Sequence, residues 1–131
     1  MKRIEIKERI NFTVNQVWSV VGTIDRFDWV PGIDSIEIND DLRIFSLKPI
    51  GHVVERIIER NDGEFKLVYS AIESPAKLDH HLASITLLPQ EDQCQFHWIS
   101  EIDPPEHAGL ILNSMNESYL SLCAVLTKEF N

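Results

Sequence analysis

Ile4, Ile6, Ile10 and Phe12 fall on alternate positions near the start of the chain, with Arg3, Glu5, Lys7 and Arg9 between them. This period of two predicts a strand with one apolar and one solvated face, and Glu8 is its one exception. Thr13 followed three residues later by Gln16 has the form of a capping box, and Val14, Val17, Trp18 and Val21 then repeat at helical spacing. A short amphipathic helix is expected there, with Gly22 as its stop. The segment from Ile24 to Gly32 carries Phe27, Trp29 and Pro31 among charges, and reads as a helical turn and loop.

From residue 33 the period returns to two. Runs at about 33 to 39, 42 to 48, 51 to 60, 65 to 73, 81 to 88 and 93 to 102 are separated by Asn39-Asp40-Asp41, Pro49, Asn61-Asp62-Gly63, a segment with Ser74-Pro75, and Pro89-Gln90-Glu91-Asp92. Those are hairpin turn chemistries, so seven strands in mostly neighbouring antiparallel order are predicted. Asp103-Pro104-Pro105-Glu106 then reads as a helix start, with Asp103 as the N-cap and proline where no amide hydrogen is needed. The helix is expected to run to about Glu129. Its stripe of Ala108, Ile111, Leu112, Met115, Tyr119, Leu122, Val125, Leu126 and Phe130 needs a concave sheet to cover it. The expected fold class is therefore α+β: a curved seven-stranded antiparallel sheet gripping a long C-terminal helix, with short helices after the first strand and an interior free to form a cavity.

Length and charge narrow the function. At 131 residues the chain is expected to be one domain spanning 1–131, large enough to bury a core. Twelve Lys plus Arg against 21 Asp plus Glu give a net charge of −9, a field that repels phosphate backbones and anionic membranes. Nucleic acid is not an expected partner. The opening MKRIEIKERI lacks the apolar stretch of a secretion signal, and no eighteen consecutive apolar residues occur, so a cytoplasmic protein with no membrane span is expected. Cys94 and Cys123 lack CxxC spacing and suit small buried hydrophobes better than a disulfide framework. No GxSxG, HExxH or phosphate-cradling glycine loop is present.

The element order, with Val17-Trp18, Gly51-x-Val53-x-Glu55-Arg56-Ile57, Tyr69, the Ser74-Pro75 loop and Trp98-x-Ser100-x-Ile102-Asp103-Pro104, resembles the polyketide cyclase/dehydrase-like branch of the START-like superfamily, also called SRPBCC or Bet v 1-like. The resemblance covers essentially the whole chain. It implies a cavity between sheet and last helix that holds a hydrophobic or amphipathic, lipid- or polyketide-like molecule, with no metal or nucleotide cofactor common to the family. It also implies that Glu55 points inward to a polar spot. Strand parity then turns Val53 and Ile57 inward as well, and puts Phe45 and Leu47 on the face of Arg43, the nearest compensating charge. The same alternation adds Tyr69 and Ala71, His81, Ala83 and Ile85, and Trp98. Met115 and Tyr119 follow from the helix, and Trp29 either sits at the cavity mouth or simply docks its loop.

His80-His81 stands where many relatives carry an Asn-Tyr or similar pair, so a neutral hydroxyl is exchanged for a group expected to titrate near neutrality. The two histidines do not suit a metal, because adjacent strand residues face opposite ways. Three readings stay open. A binding module would pair its inward charges with each other. A cyclase or dehydratase would leave an acid or base unpaired among Glu55, His81 and Arg43. A protein-interaction module would expose a large apolar patch.

Overall fold

In the computed structural model, which describes residues 1–131, seven strands form one antiparallel sheet in the order β1-β7-β6-β5-β4-β3-β2. The strands are β1 (Lys2–Ile10), β2 (Ile33–Asn39), β3 (Leu42–Leu47), β4 (Gly51–Asn61), β5 (Lys66–Glu73), β6 (His80–Gln90) and β7 (Gln93–Asp103). β1 and β2 are the two edges, so the chain between them passes from one edge of the sheet to the other. α1 (Val14–Val21) begins that path over β6 and β7, residues 22–32 complete it, and the 23-residue α2 (Ala108–Phe130) follows β7 as the grip fold requires.

Local chemistry sets the boundaries. The Thr13 hydroxyl accepts the Gln16 amide at 3.2 Å while the Gln16 side chain accepts the Thr13 amide at 2.9 Å, so the capping box closes α1 at its start. Gly22 ends it, and a Cβ there would stand 2.4 Å from the Trp18 ring. Residues 24–32 hold single hydrogen-bonded turns, such as Val30 N–H to the Phe27 carbonyl at 3.0 Å, which is the turn and loop expected there, so α1 is the one helix between β1 and β2. Gly32, at φ 94°, turns the chain into β2 against the Lys48 carbonyl, where a Cβ would come within 2.5 Å.

Two boundaries differ from the pattern. Pro89 lies inside β6 opposite Cys94, ahead of the turn at Glu91-Asp92 that it was expected to begin. Asp103 is the last residue of β7, opposite His80, and so cannot cap a helix; a 3-10 turn at Pro105–His107 precedes α2 instead. The Asp103 carbonyl accepts the Asp79 amide, and Asp103-Pro104 and Lys48-Pro49 are both cis. The cysteines are unpaired, Cys94 buried and Cys123 half-buried.

The core is split in two. A large cluster joins β1, β5, β6, β7, α1 and α2 around fully buried Phe96, Leu122 and Leu126. Ile33, Phe45 and Val53 form a small one on β2, β3 and β4. α2 packs on β1, and α1 on β6 and β7, so no helix is seated on the inner face of β2 to β4. An apolar sheet face normally packs against another layer. Here no helix supplies that layer; loop residues Phe27 and Val30 cover part of the face, and the rest is a cavity.

Candidate functional site

The cavity has a volume of about 170 Å³ between the two clusters. Of its 27 lining residues 18 are hydrophobic, so apolar burial supplies the affinity and a few polar atoms decide orientation.

The polar spot is built by register. Arg43 on β3 lies opposite Glu55 on β4, and directly opposed residues share a face. Their side chains are 11% and 13% exposed, which demands pairing. Arg43 Nε and Nη2 stand 2.9 and 2.7 Å from Oε1 of Glu55, and Nη1 donates to the Ile24 carbonyl at 3.3 Å. The guanidinium carbon also sits 5.1 Å from the centroid of the Tyr69 ring. No protein group hydrogen-bonds Oε2 of Glu55. Since no fully buried side-chain nitrogen or oxygen goes unpartnered, that oxygen is open to the cavity Glu55 lines.

Tyr69 continues the spot on β5. Burial first, and the Glu55 carboxylate second, push its phenol well above the usual range, so it stays a neutral hydroxyl. It accepts the Trp98 indole N–H at 3.1 Å, and Trp98 packs against Trp29 with ring centroids 5.8 Å apart. Trp29, 6% exposed, therefore docks its loop and lines the cavity at the same time.

His81 owes its place to a gap in the sheet. β5 and β6 pair only from Lys66↔Thr86 to Tyr69↔Ala83, whereas β6 stays paired with β7 as far as His80↔Asp103. Where β5 leaves β6, side chains replace the ladder: the Ser70 hydroxyl donates to the His81 carbonyl, and the Ala71 amide donates to His81 Nδ1 at 2.8 Å. An accepting Nδ1 fixes the neutral tautomer with its proton on Nε2. The expectation of a group titrating near neutrality is overturned, because burial, with His80 second, lowers the His81 pKa to about 4. His80 faces the other way and meets Glu101 at 3.1 Å, and no group of three or more His, Cys, Asp or Glu side chains comes together.

The remaining expected positions divide. Phe45, Leu47, Val53, Ala71, Ile85 and Met115 line the cavity; Ile57, Ala83 and Tyr119 do not. Each exception shares the right face but lies where the core is already filled. Ile57 packs on the large cluster beyond the cavity. Ala83 is 1% exposed, enclosed in the same cluster between Tyr69 and Ser100 on the neighbouring strands. Tyr119, one turn past Met115, meets Phe96 with ring centroids 5.5 Å apart. The helix wall runs the other way, through Ser118, Ser114, Ile111 and His107, and 54%-exposed Leu110 marks where the cavity opens. Ser114 and Ser118, four residues apart astride Met115, were the available signal: hydroxyls beside an apolar stripe. Ile50, Ala76 and Leu78 come from turns, where periodicity gives no face.

A family model described as polyketide cyclase/dehydrase and lipid transport matches residues 1–121. No curated protein matches the chain in sequence. Among solved structures, protein XoxI of Bacillus cereus superposes with a TM-score of 0.88 at 20% identity, over 97% of this chain and 96% of that one. An aromatase/cyclase from a Streptomyces species gives 0.81 at 10% identity, over 99% and 96%. Norcoclaurine synthase of Thalictrum flavum, in complex with dopamine and hydroxybenzaldehyde, gives 0.77 at 14% identity, over 99% and 88%. Likenesses at such identities establish the fold alone.

Proposed function

The chain belongs to the polyketide cyclase/dehydrase and lipid transport family, and from that premise we propose that it binds a hydrophobic or amphipathic small molecule in the cavity between sheet and α2, without transforming it. The observation that carries this reading is the state of the inward titratable groups. Glu55 is paired with Arg43, and His81 is held neutral with Nδ1 engaged, so neither of the two sheet residues that a cyclase or dehydratase would use stands as a free acid or base. A general base works best with a pKa near the operating pH, and a His81 pKa of about 4 is far from that. The exposed large hydrophobics, such as Ile38, Ile58, Ile72, Leu88 and Leu120, are spread over different elements, which disfavours a protein-docking patch. No helix is long and apolar enough to cross a membrane.

Native mass spectrometry of protein purified gently from its own host tests the proposal, with extraction of whatever co-purifies. A bound small molecule is expected, and adding it back should shift the tryptophan emission, because Trp29 and Trp98 line the cavity while Trp18 lies in the core near Asp62. Failure to retain any molecule, together with unchanged emission across a panel of apolar compounds, would remove the cavity as the functional site. The cyclase or dehydratase reading draws its support from Oε2 of Glu55, which opens into the cavity. It requires Glu55→Gln to abolish turnover of a bound polyketide-like compound while the fold is retained, and unchanged turnover would eliminate it.

A further inference from the structure

The size, charge and open polar atoms of the cavity say more about its occupant. We propose that the ligand is an uncharged molecule of about one ring, carrying a hydroxyl or equivalent group that donates to Oε2 of Glu55 and accepts from Nε2–H of His81. This rests on the binding reading above and narrows it.

Size comes first. At about 170 Å³ the cavity only slightly exceeds the roughly 150 Å³ engineered apolar hole that accommodates benzene, and is smaller than the roughly 300–1,000 Å³ of sites for drug-sized ligands. A fused multi-ring skeleton or a long acyl chain exceeds that volume and would project out through the mouth at Leu110. The lining suits a ring: Trp29, Trp98 and Tyr69 supply faces and edges, and Phe45, Ile85 and Met115 fill in around them.

Charge comes second. The Arg43–Glu55 pair is internally neutral, and both side chains are nearly buried. A ligand carboxylate would place a second negative charge beside Glu55, in a chain whose net charge is already −9. A ligand ammonium would compete with Arg43 for the same carboxylate. An uncompensated charge in such surroundings is strongly penalised.

Hydrogen bonding comes third. Several polar groups in this lining have no protein partner, the Ser114 and Ser118 hydroxyls on the helix wall among them, and on the sheet wall one such acceptor and one such donor are neighbours. Oε2 of Glu55 is the acceptor, because both guanidinium contacts go to Oε1. Nε2–H of His81 is the donor, because Nδ1 is occupied by the Ala71 amide. They are neighbours by topology: Glu55 lies opposite Ala71, whose amide holds the His81 ring. A hydroxyl is the smallest group that offers both a donor and an acceptor.

Four probes separate the three parts of the proposal on the intact protein at pH 7.5, by tryptophan emission and calorimetry: ethylbenzene, 4-ethylphenol, 4-ethylbenzoate and palmitate. The expected order puts 4-ethylphenol first, about tenfold tighter than ethylbenzene, since a hydrogen bond to a charged group adds at least that factor. 4-Ethylbenzoate and palmitate should bind at least tenfold more weakly than the phenol. In Glu55→Gln, Arg43 loses its compensating charge, and the preference between phenol and benzoate should invert. Tighter binding of 4-ethylbenzoate or palmitate to the wild-type protein, or equal binding of ethylbenzene and 4-ethylphenol, would overturn the inference while leaving the binding function intact. So would silence toward all four probes in a protein that still co-purifies with a ligand, whereas silence with nothing co-purified defeats the binding reading itself. The wild-type ranking decides the matter even if the variant does not fold.

Discussion

At the residue scale His81 has the most distinctive position. It was singled out because a histidine can titrate near neutrality, and the structure gives it the opposite role. A folded pKa of about 4 against an ordinary 6.5 means that folding favours the neutral ring. The folded-state pKa is depressed, so the unfolded chain binds the proton first as pH falls. The stabilisation is then complete above pH 6.5 and is lost on acidification toward pH 4, by roughly 3 kcal/mol in all. His81→Gln, whose amide oxygen can still accept from Ala71, is expected to flatten the urea-unfolding stability between those pH values. A variant whose acid profile matched the wild type would assign the loss to other groups. The Arg43–Glu55 juxtaposition was readable from two strands joined by a tight turn, because register follows from the turn and parity from the pleat. The tautomer of His81 was not readable. It depends on where β5 abandons β6, and both strands alternate in sequence as if they stayed together.

At the element scale, turns and caps made the architecture legible almost residue by residue, since Asn61-Asp62-Gly63, the Thr13/Gln16 box and Gly22 act over a few neighbours. Depth was harder. Alternation reports which face a side chain takes, and says nothing about whether a helix already covers that part of the face, which is why Ile57, Ala83 and Tyr119 belong to filled core. Gly22 shows how tightly the end of α1 is packed. A methyl group there would enter the Trp18 indole, whose N–H is held by Asp62 at 2.8 Å. Gly22→Ala is therefore expected to lower stability by about 1–3 kcal/mol in denaturant unfolding, the usual range for overpacking. Gly109→Ala, with open space around its Cβ on α2, should be neutral or slightly stabilising. Equal effects at the two sites would mean that Trp18 can move aside freely.

At the scale of the whole molecule, the missing helical layer over β2 to β4 is a choice between stability and reception. Measured costs of about 24 cal/mol per Å³ of cavity put a ceiling of about 4 kcal/mol on what filling 170 Å³ could add. Ala71→Leu should recover part of it, raising the thermal midpoint by a few degrees while weakening ligand binding at least tenfold, a pair of opposite signs that scanning calorimetry and titration would read together. A loss of both would show that position 71 has no room to grow. The parting of β5 from β6 carries one more consequence. The seam there is stitched by the same imidazole whose other nitrogen faces the cavity, so a guest that bonds to that nitrogen becomes a mechanical part of the sheet. Deuterium uptake at the Ala71 amide should then slow when the cavity is occupied, although no ligand atom touches it: the backbone would register the visitor through the rivet they share.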